Sequence, residues 1–400
     1  MRTRLLVLLI LLGALALAWT LGELYRPYRG YSGNLVVVIE PKTRATAVAR
    51  LLVERGVLAR RLPFLLRYWA GRASHPIRAG EYLFDRPLRP LDVYRKLVLG
   101  DVYLHPVVIP EGSDRFDIAR ILHEQLGLPP EEFLRLTRET AAIRDLDPQA
   151  PTLEGYLFPD TYRFPRGVSS ASVVAAMLPR FRHVLDSKFG AQLRSSPTRL
   201  HDRVTLASLL EKETPEPAER PVIAGVFQRR LQKGMPLQCD PTVVYADRLN
   251  RNCGAHPTAP ITQSELNLES PYNTYRHSGL PPGPICNPGE VSLRAAWNPT
   301  PGDPLYFVSN NRGGHVFART LAEHQRNVAR YRREVAALHP AASEGTKRPG
   351  QPPPTLQPKA STTTSRSAKD GKGQKANHPR VLPGKGSETH RSPGNPGHRG

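Results

Sequence analysis

LVVVIEPKTRATAVARLLVERG, residues 35–56, decides the fold class. Leu35 to Ile39 is an unbroken, largely β-branched run of the kind that forms a buried strand. From Thr46 to Arg55 the apolar residues Val48, Leu51, Leu52 and Val53 then recur at helical spacing. Gly56 stands where a left-handed residue closes such a helix. Downstream, Leu62 to Trp69 repeats the helical period, Ile77 to Phe84 reads as a short strand around Gly80, and Leu91 to Leu99 as a helix ended by Gly100. Strand, helix, helix, strand, helix within residues 34–101 suits a small binding module better than an enzyme.

Upstream of this module, Leu5 to Trp19 carries no charge and the chain stays uncharged to Gly22, behind Arg2 and Arg4. About 18 apolar residues suffice to cross a bilayer as a helix, and the two arginines hold the short end in the cytoplasm. Ala14 with Ala16, or Ala16 with Ala18, also offers the small-residue spacing of a signal-peptidase site. Because the apolar run continues through Trp19 and Leu21, an uncleaved single-pass anchor over residues 1–25 is expected. Everything after Glu23 then lies outside the cytoplasm.

Downstream, from Val107 to about Leu338, helices are expected at Arg115 to Gln125, Pro130 to Thr137, Ser172 to Lys188, Val204 to Thr214, Ala218 to Lys233 and Thr320 to Leu338. Met235 to Gly314 reads as loops and short strands rich in Pro and Gly, with Gln238 and Asp240 in a turn ahead of a strand. The expected fold class is therefore α+β. It comprises an anchor (1–25), a small module (26–105), a larger catalytic domain (106–338) and a tail (339–400). The tail is Pro-, Ser-, Thr- and Gly-rich and has 11 basic against 3 acidic residues over 341–400, so it should be disordered.

The whole chain of 400 residues carries 56 Lys and Arg against 35 Asp and Glu, a formal +21 that fits an anionic polymer or surface. Export argues against nucleic acid as that partner. Three cysteines exclude a zinc ribbon or a disulfide scaffold, although Cys239 and Cys253 could pair in an oxidising compartment. His256, His277, His315 and His324 lack metal-ligand spacing, so no metal and no cofactor are expected. GxSxG and phosphate-binding glycine loops are absent as well.

Carboxylate chemistry remains. In Val204-Thr-Leu-Ala-Ser-Leu-Leu-Glu-Lys-Glu-Thr214, stopped by Pro215 and Pro217, the residues Leu206, Ala207, Leu209 and Leu210 form an apolar arc. Glu211 and Glu213 border it on opposite edges, where partial desolvation raises a carboxyl pKa towards the value a general acid needs. Periodicity leaves open which glutamate is the acid, and a solvated pair flanking Lys212 is the plainer alternative. Gln238, Asp240, Tyr272, Asn273 and Tyr275 supply the amides, carboxylate and rings that hold sugars, or else ordinary turn and core residues.

LASLLEKET (206–214), MPLQCDPTVVY (235–245), SPYNTYRHSGLPPGPICNPG (270–289) and GGHVFARTLAEH (313–324) resemble the signature blocks of the YceG-like (MltG) family of endolytic murein transglycosylases. IPEGSDRFDIARIL (109–122) and EGYLFPDTY (154–162) are similar to two further blocks, in the family's order. Residues 34–104 resemble the LysM-like module that precedes the catalytic domain there. The sequence departs from the pattern at Arg229, where asparagine is usual, at Cys239 and Cys286, in the turn Glu40-Pro41-Lys42-Thr43, which lacks the expected glycine, and in the basic tail.

The resemblance implies cleavage of the β-1,4 bond between N-acetylmuramic acid and N-acetylglucosamine in nascent peptidoglycan, leaving 1,6-anhydromuramic ends and limiting strand length. It implies Glu211 as the catalytic acid, Glu213 as second choice, and Gln238, Asp240, Tyr272, Asn273 and Tyr275 along the glycan groove. It also implies an inner-membrane location with a periplasmic catalytic domain beside penicillin-binding synthases. Two rivals stand against it: a catalytically silent wall-binding scaffold, and a muramidase that uses water with a second carboxylate such as Asp240.

Overall fold

The computed structural model describes residues 2–71, 76–195, 200–251 and 261–338. The tail from 339 and Cys253 lie outside the described residues. Helix α1 (Arg2–Tyr25) leads into β1 (Leu35–Ile39), α2 (Ala45–Glu54), α3 (Arg61–Gly71), β2 (Gly80–Phe84) and α4 (Pro90–Leu99), which follow the order expected for the small module. β1 and β2 pair antiparallel, with Val37 opposite Tyr82. Their inward side chains meet Val48, Leu52, Phe64, Val93 and Leu97 in one buried core. In the turn that lacks a glycine, Lys42 itself adopts φ 62°, the left-handed conformation in which a glycine would carry no Cβ penalty.

A second core gathers the rest. Its elements are β3 (Leu104–Val108), α5 (Arg115–Leu126), α6 (Pro130–Leu136), β4 (Thr161–Pro165), α7 (Ser170–Ser195), α8 (Leu200–Glu213), α9 (Arg220–Gln232), α10 (Asp240–Arg251), α11 (Gln263–Leu266), α12 (Glu290–Trp297), β5 (Tyr306–Ser309), β6 (His315–Ala318) and α13 (Leu321–Leu338). The strands form two more antiparallel pairs, β3 with β4 and β5 with β6. Val102 still packs on the small core whereas Val107 is buried in the large one, so the change of core falls between them. Glu81 bridges the two through His105 Nε2 at 2.6 Å and Arg166 at 2.8 Å.

Helices and antiparallel strand pairs together make the chain an α+β protein, as expected. Two elements differ from expectation. Residues 241–245 form the first turns of α10 rather than a strand. Thr242, Val243, Tyr245 and Ala246 are buried at helical spacing, and Pro241 sits at the start, where a missing N–H costs nothing. Asp240 accordingly opens a helix instead of lying in a turn. α12 occupies part of the stretch read as loops, burying Leu293, Ala296 and Trp297 against α7, α8 and α9.

Candidate active site

α8 ends the path of the chain between two different environments. Glu211 is enclosed, with 5% of its side chain exposed. Its carboxylate pairs with Arg220 Nη2 at 3.0 Å, and Arg220, near the start of α9, is similarly enclosed. The Gly289 N–H also donates to Glu211 at 2.9 Å. Glu111 packs behind this pair, and burial, followed by the Glu211 charge, raises its carboxyl above the usual range. A Cβ at position 289 would stand 2.0 Å from the Glu111 carboxyl, so a larger residue there requires the Glu111 side chain to move. Glu211 is thus positioned by one arginine and one backbone donor at the end of α8.

Among the described residues no arginine is bonded to Glu213, one half-turn on. Its Oε2 accepts from the Cys239 thiol at 3.1 Å. Burial, with the Asp240 charge adding to it, pushes its pKa up to about 7 against the Cys239 hydrogen bond and the more distant charges of His315 and Arg230. Burial thus shifts this carboxyl towards the range useful to a general acid, next to the exposed Gln238 and Asp240. Arg230 points away, donating to Leu305 O and Leu237 O. His315 is oriented by Glu219, which accepts from its Nδ1 and its backbone N–H, each at 2.7 Å.

Cys239 is a free, fully buried thiol, and burial raises its pKa well above the usual value. On either side of it Gln238 and Asp240 are exposed, and Gln238 adopts φ 51° to turn the chain there. Tyr275 donates its hydroxyl to Asp240. A cavity of about 290 Å³ opens alongside, between Lys212 of α8, Asp240 and Val244 of α10, and Ile285. Asp240 borders this cavity and holds the Tyr275 hydroxyl, while the adjacent Cys239 holds Glu213. Tyr272 is set back, tilted against Tyr245 at 5.2 Å. Asn273 is fully buried, with its amide donating to Leu266 O and Leu268 O and its Oδ1 accepting from Tyr275 N. It braces the loop that carries Tyr272 and Tyr275.

A buried polar network that sequence reasoning missed supports this site. Glu154 is fully buried with its pKa raised to about 8 by desolvation and the Asp114 charge. It accepts from Arg115 N, from Tyr245 Oη at 3.1 Å and from Asn287 Nδ2 at 2.8 Å. Asn287 returns its Oδ1 to Gly155 N and Leu157 N. Arg248 of α10 bonds Asp114 and Asp117, the capping box of α5. The only sequence signal was the recurrence of EGYLFPDTY and CNPG as ordered blocks, which gave no partners. Arg229 clamps the 300–304 loop through Pro304 O and Thr300 O.

Among the described residues no group of three His, Cys, Asp or Glu could hold a metal ion. Fold and site together define an α+β protein whose candidate site gathers the enclosed carboxyls of Glu211, Glu213 and Glu154. The profile of the YceG-like family matches residues 37–330, and the chain belongs to that family. It is 31% identical over 302 residues to the endolytic murein transglycosylase of Bacillus subtilis (strain 168), covering 72% of this chain and 81% of that protein. Endolytic murein transglycosylase of Streptococcus pneumoniae serotype 2 (strain D39) is 31% identical over 283 residues, 64% of this chain and 51% of that protein. A crystal structure of a yceG-like protein from Listeria monocytogenes superposes with TM-score 0.50 at 30% identity, covering 74% of this chain and 99% of that one.

Because the Cys239 thiol donates to Glu213, Cys239→Ala should raise the Glu213 pKa and move the alkaline limb of activity upward from about pH 7. Cys239→Ser, which keeps a donor, should move it less. A kcat/KM–pH profile checks this, and superimposable limbs in all three proteins would remove Cys239 from the site.

Proposed function

We propose that the chain is an endolytic peptidoglycan transglycosylase, as its relatives are named, with Glu213 as its catalytic acid. The bond broken is the β-1,4 link between N-acetylmuramic acid and N-acetylglucosamine within a strand. Glu213 gives its proton to the departing glycosidic oxygen, and the resulting carboxylate then takes the proton of the muramyl C6 hydroxyl as that oxygen closes on the anomeric carbon. One residue serves both steps because the nucleophile belongs to the substrate, which brings the proximity advantage of an intramolecular attack. Gln238, Asp240 and Tyr275 line the approach, and Tyr272 backs it. The observation that carries the reading is a buried carboxyl, pushed up to about 7 and hydrogen-bonded by the Cys239 thiol, whose chain neighbours Gln238 and Asp240 are exposed.

The apolar helix Thr3–Tyr25 is consistent with a single-pass anchor. We infer that it holds the catalytic domain on the outer face of the inner membrane, where nascent strands leave penicillin-binding synthases. The LysM-like character of residues 26–105 and the domain limits 106–338 and 339–400 belong to the same proposal.

Mass spectrometry of uncrosslinked glycan digested by the full chain in detergent tests the reaction. Anhydromuramic ends, lighter by one water than reducing ends, are the expected product. Reducing ends would make the enzyme a muramidase drawing on Asp240 as second carboxylate, and intact strands would leave a wall-binding scaffold.

A further inference from the structure

The end of α1 packs on the small module itself. The helix runs unbroken to Tyr25, its last turn packs on α3 and α4, and Leu24 is part of the module's buried core. A bilayer that holds the apolar segment therefore also holds the module, at a height fixed by α1.

At the module end of that segment Trp19 stands 44% exposed, with the Arg60 guanidinium 5.5 Å above its ring. Beside them opens a cavity of about 560 Å³. Arg50 of α2 and Arg60 and Arg61 at the start of α3 line it, with Glu54 the one carboxylate among its walls. None of these three arginines is ion-paired within the described residues. From the rim, α3 exposes Leu62, Leu66 and Trp69, at i, i+4 and i+7 on one face, while Phe64 and Leu65 go into the core. A tryptophan at the end of a spanning helix marks the headgroup level, and a net-cationic cavity at that level beside an exposed Trp/Leu face is complementary to an acidic lipid surface.

We propose that this cavity binds the phosphate of an anionic phospholipid in the leaflet that the module faces, with Arg50, Arg60 and Arg61 as its ligands, and that the Leu62, Leu66 and Trp69 face rests in the upper acyl region. The Arg60 guanidinium serves both partners, lying over the Trp19 ring while its remaining N–H groups address the phosphate. The module is thereby pinned at a second point away from α1. This sets the tilt of everything that follows and is independent of the reaction assigned to α8.

Lipid-resolved tryptophan quenching of the full chain, reconstituted in equal mixtures of phosphatidylglycerol and phosphatidylcholine, tests the site. Bromine is placed on one lipid at a time. Trp19 and Trp69 should be quenched roughly threefold more strongly when phosphatidylglycerol carries the bromine, while Trp297, buried in the large core, is insensitive to either. Replacing the three exposed arginines (R50Q, R60Q and R61Q together) should return the ratio to one without altering the circular dichroism melt. Trp69→Phe should remove a distinct share of the quenching. Equal quenching by both lipids in the wild-type chain, or a preference that survives the triple replacement, overturns the headgroup site. Unchanged quenching in Trp69→Phe overturns the docking of α3.

Discussion

Glu213→Gln is expected to reduce glycan cleavage by about 10²- to 10⁴-fold at pH 6.5, the range that loss of a positioned general acid produces, with little change in melting temperature. The amide keeps the shape and can still accept from Cys239, but it has no proton of the required acidity to give. Glu211→Gln should behave differently. It disrupts a pair with Arg220 in which both side chains are almost wholly enclosed, and it weakens the acceptor for Gly289 N–H. An enclosed guanidinium without its carboxylate is costly, so the melting temperature should fall first, and cleavage per folded molecule should fall less than in Glu213→Gln. Turnover normalised to folded protein, measured beside the thermal melt of each variant, separates the two. If Glu211→Gln is the dead but stable variant, the assignment to Glu213 is wrong.

Why periodicity could not choose between these glutamates is now a physical matter. Both border the apolar arc of α8, and what distinguishes them comes from elsewhere in the chain: Arg220 on the next helix and Gly289 ahead of α12 for Glu211, Cys239 and Asp240 for Glu213. Elements whose cause is local were legible. The strand Leu35–Ile39, the helix from Ala45 and the antiparallel partner ending at Phe84 each follow from a short run of apolar spacing. Residues 240–251 were misread because Val243 and Val244 favour a strand, whereas burial of Tyr245 and Ala246 against α8 favours a helix, and the tertiary gain prevails. Asn273 looked like a sugar ligand because an amide beside two tyrosines fits that role. That its amide also caps the carbonyls of Leu266 and Leu268 is a loop contact the sequence does not reveal.

The second large effect is expected at Arg248, which no local pattern singled out because its partners are more than a hundred positions away. Arg248→Met should destabilise the large core by about 3–5 kcal/mol in urea unfolding at pH 8, the cost of leaving buried carboxylates without their cation. Arg248 is 1% exposed and is bonded to Asp114 and Asp117, which cap α5, while Glu154 lies near enough for its charge to be felt. The defect should depend on pH, and its sign follows from Asp114. Burial and the Asp117 charge already raise the Asp114 pKa above its ordinary value, against the opposing pull of Arg248. Without the guanidinium it rises further, so the folded state holds a proton that the unfolded chain has released. A group with a raised folded pKa contributes its stability below the unfolded value and loses it as pH increases through the folded value. The gap between wild type and Arg248→Met should therefore narrow at pH 5 and widen towards pH 8. A gap that is constant across that range would mean that Arg248 acts through packing on Phe116, over whose ring it lies at 5.4 Å, rather than through charge.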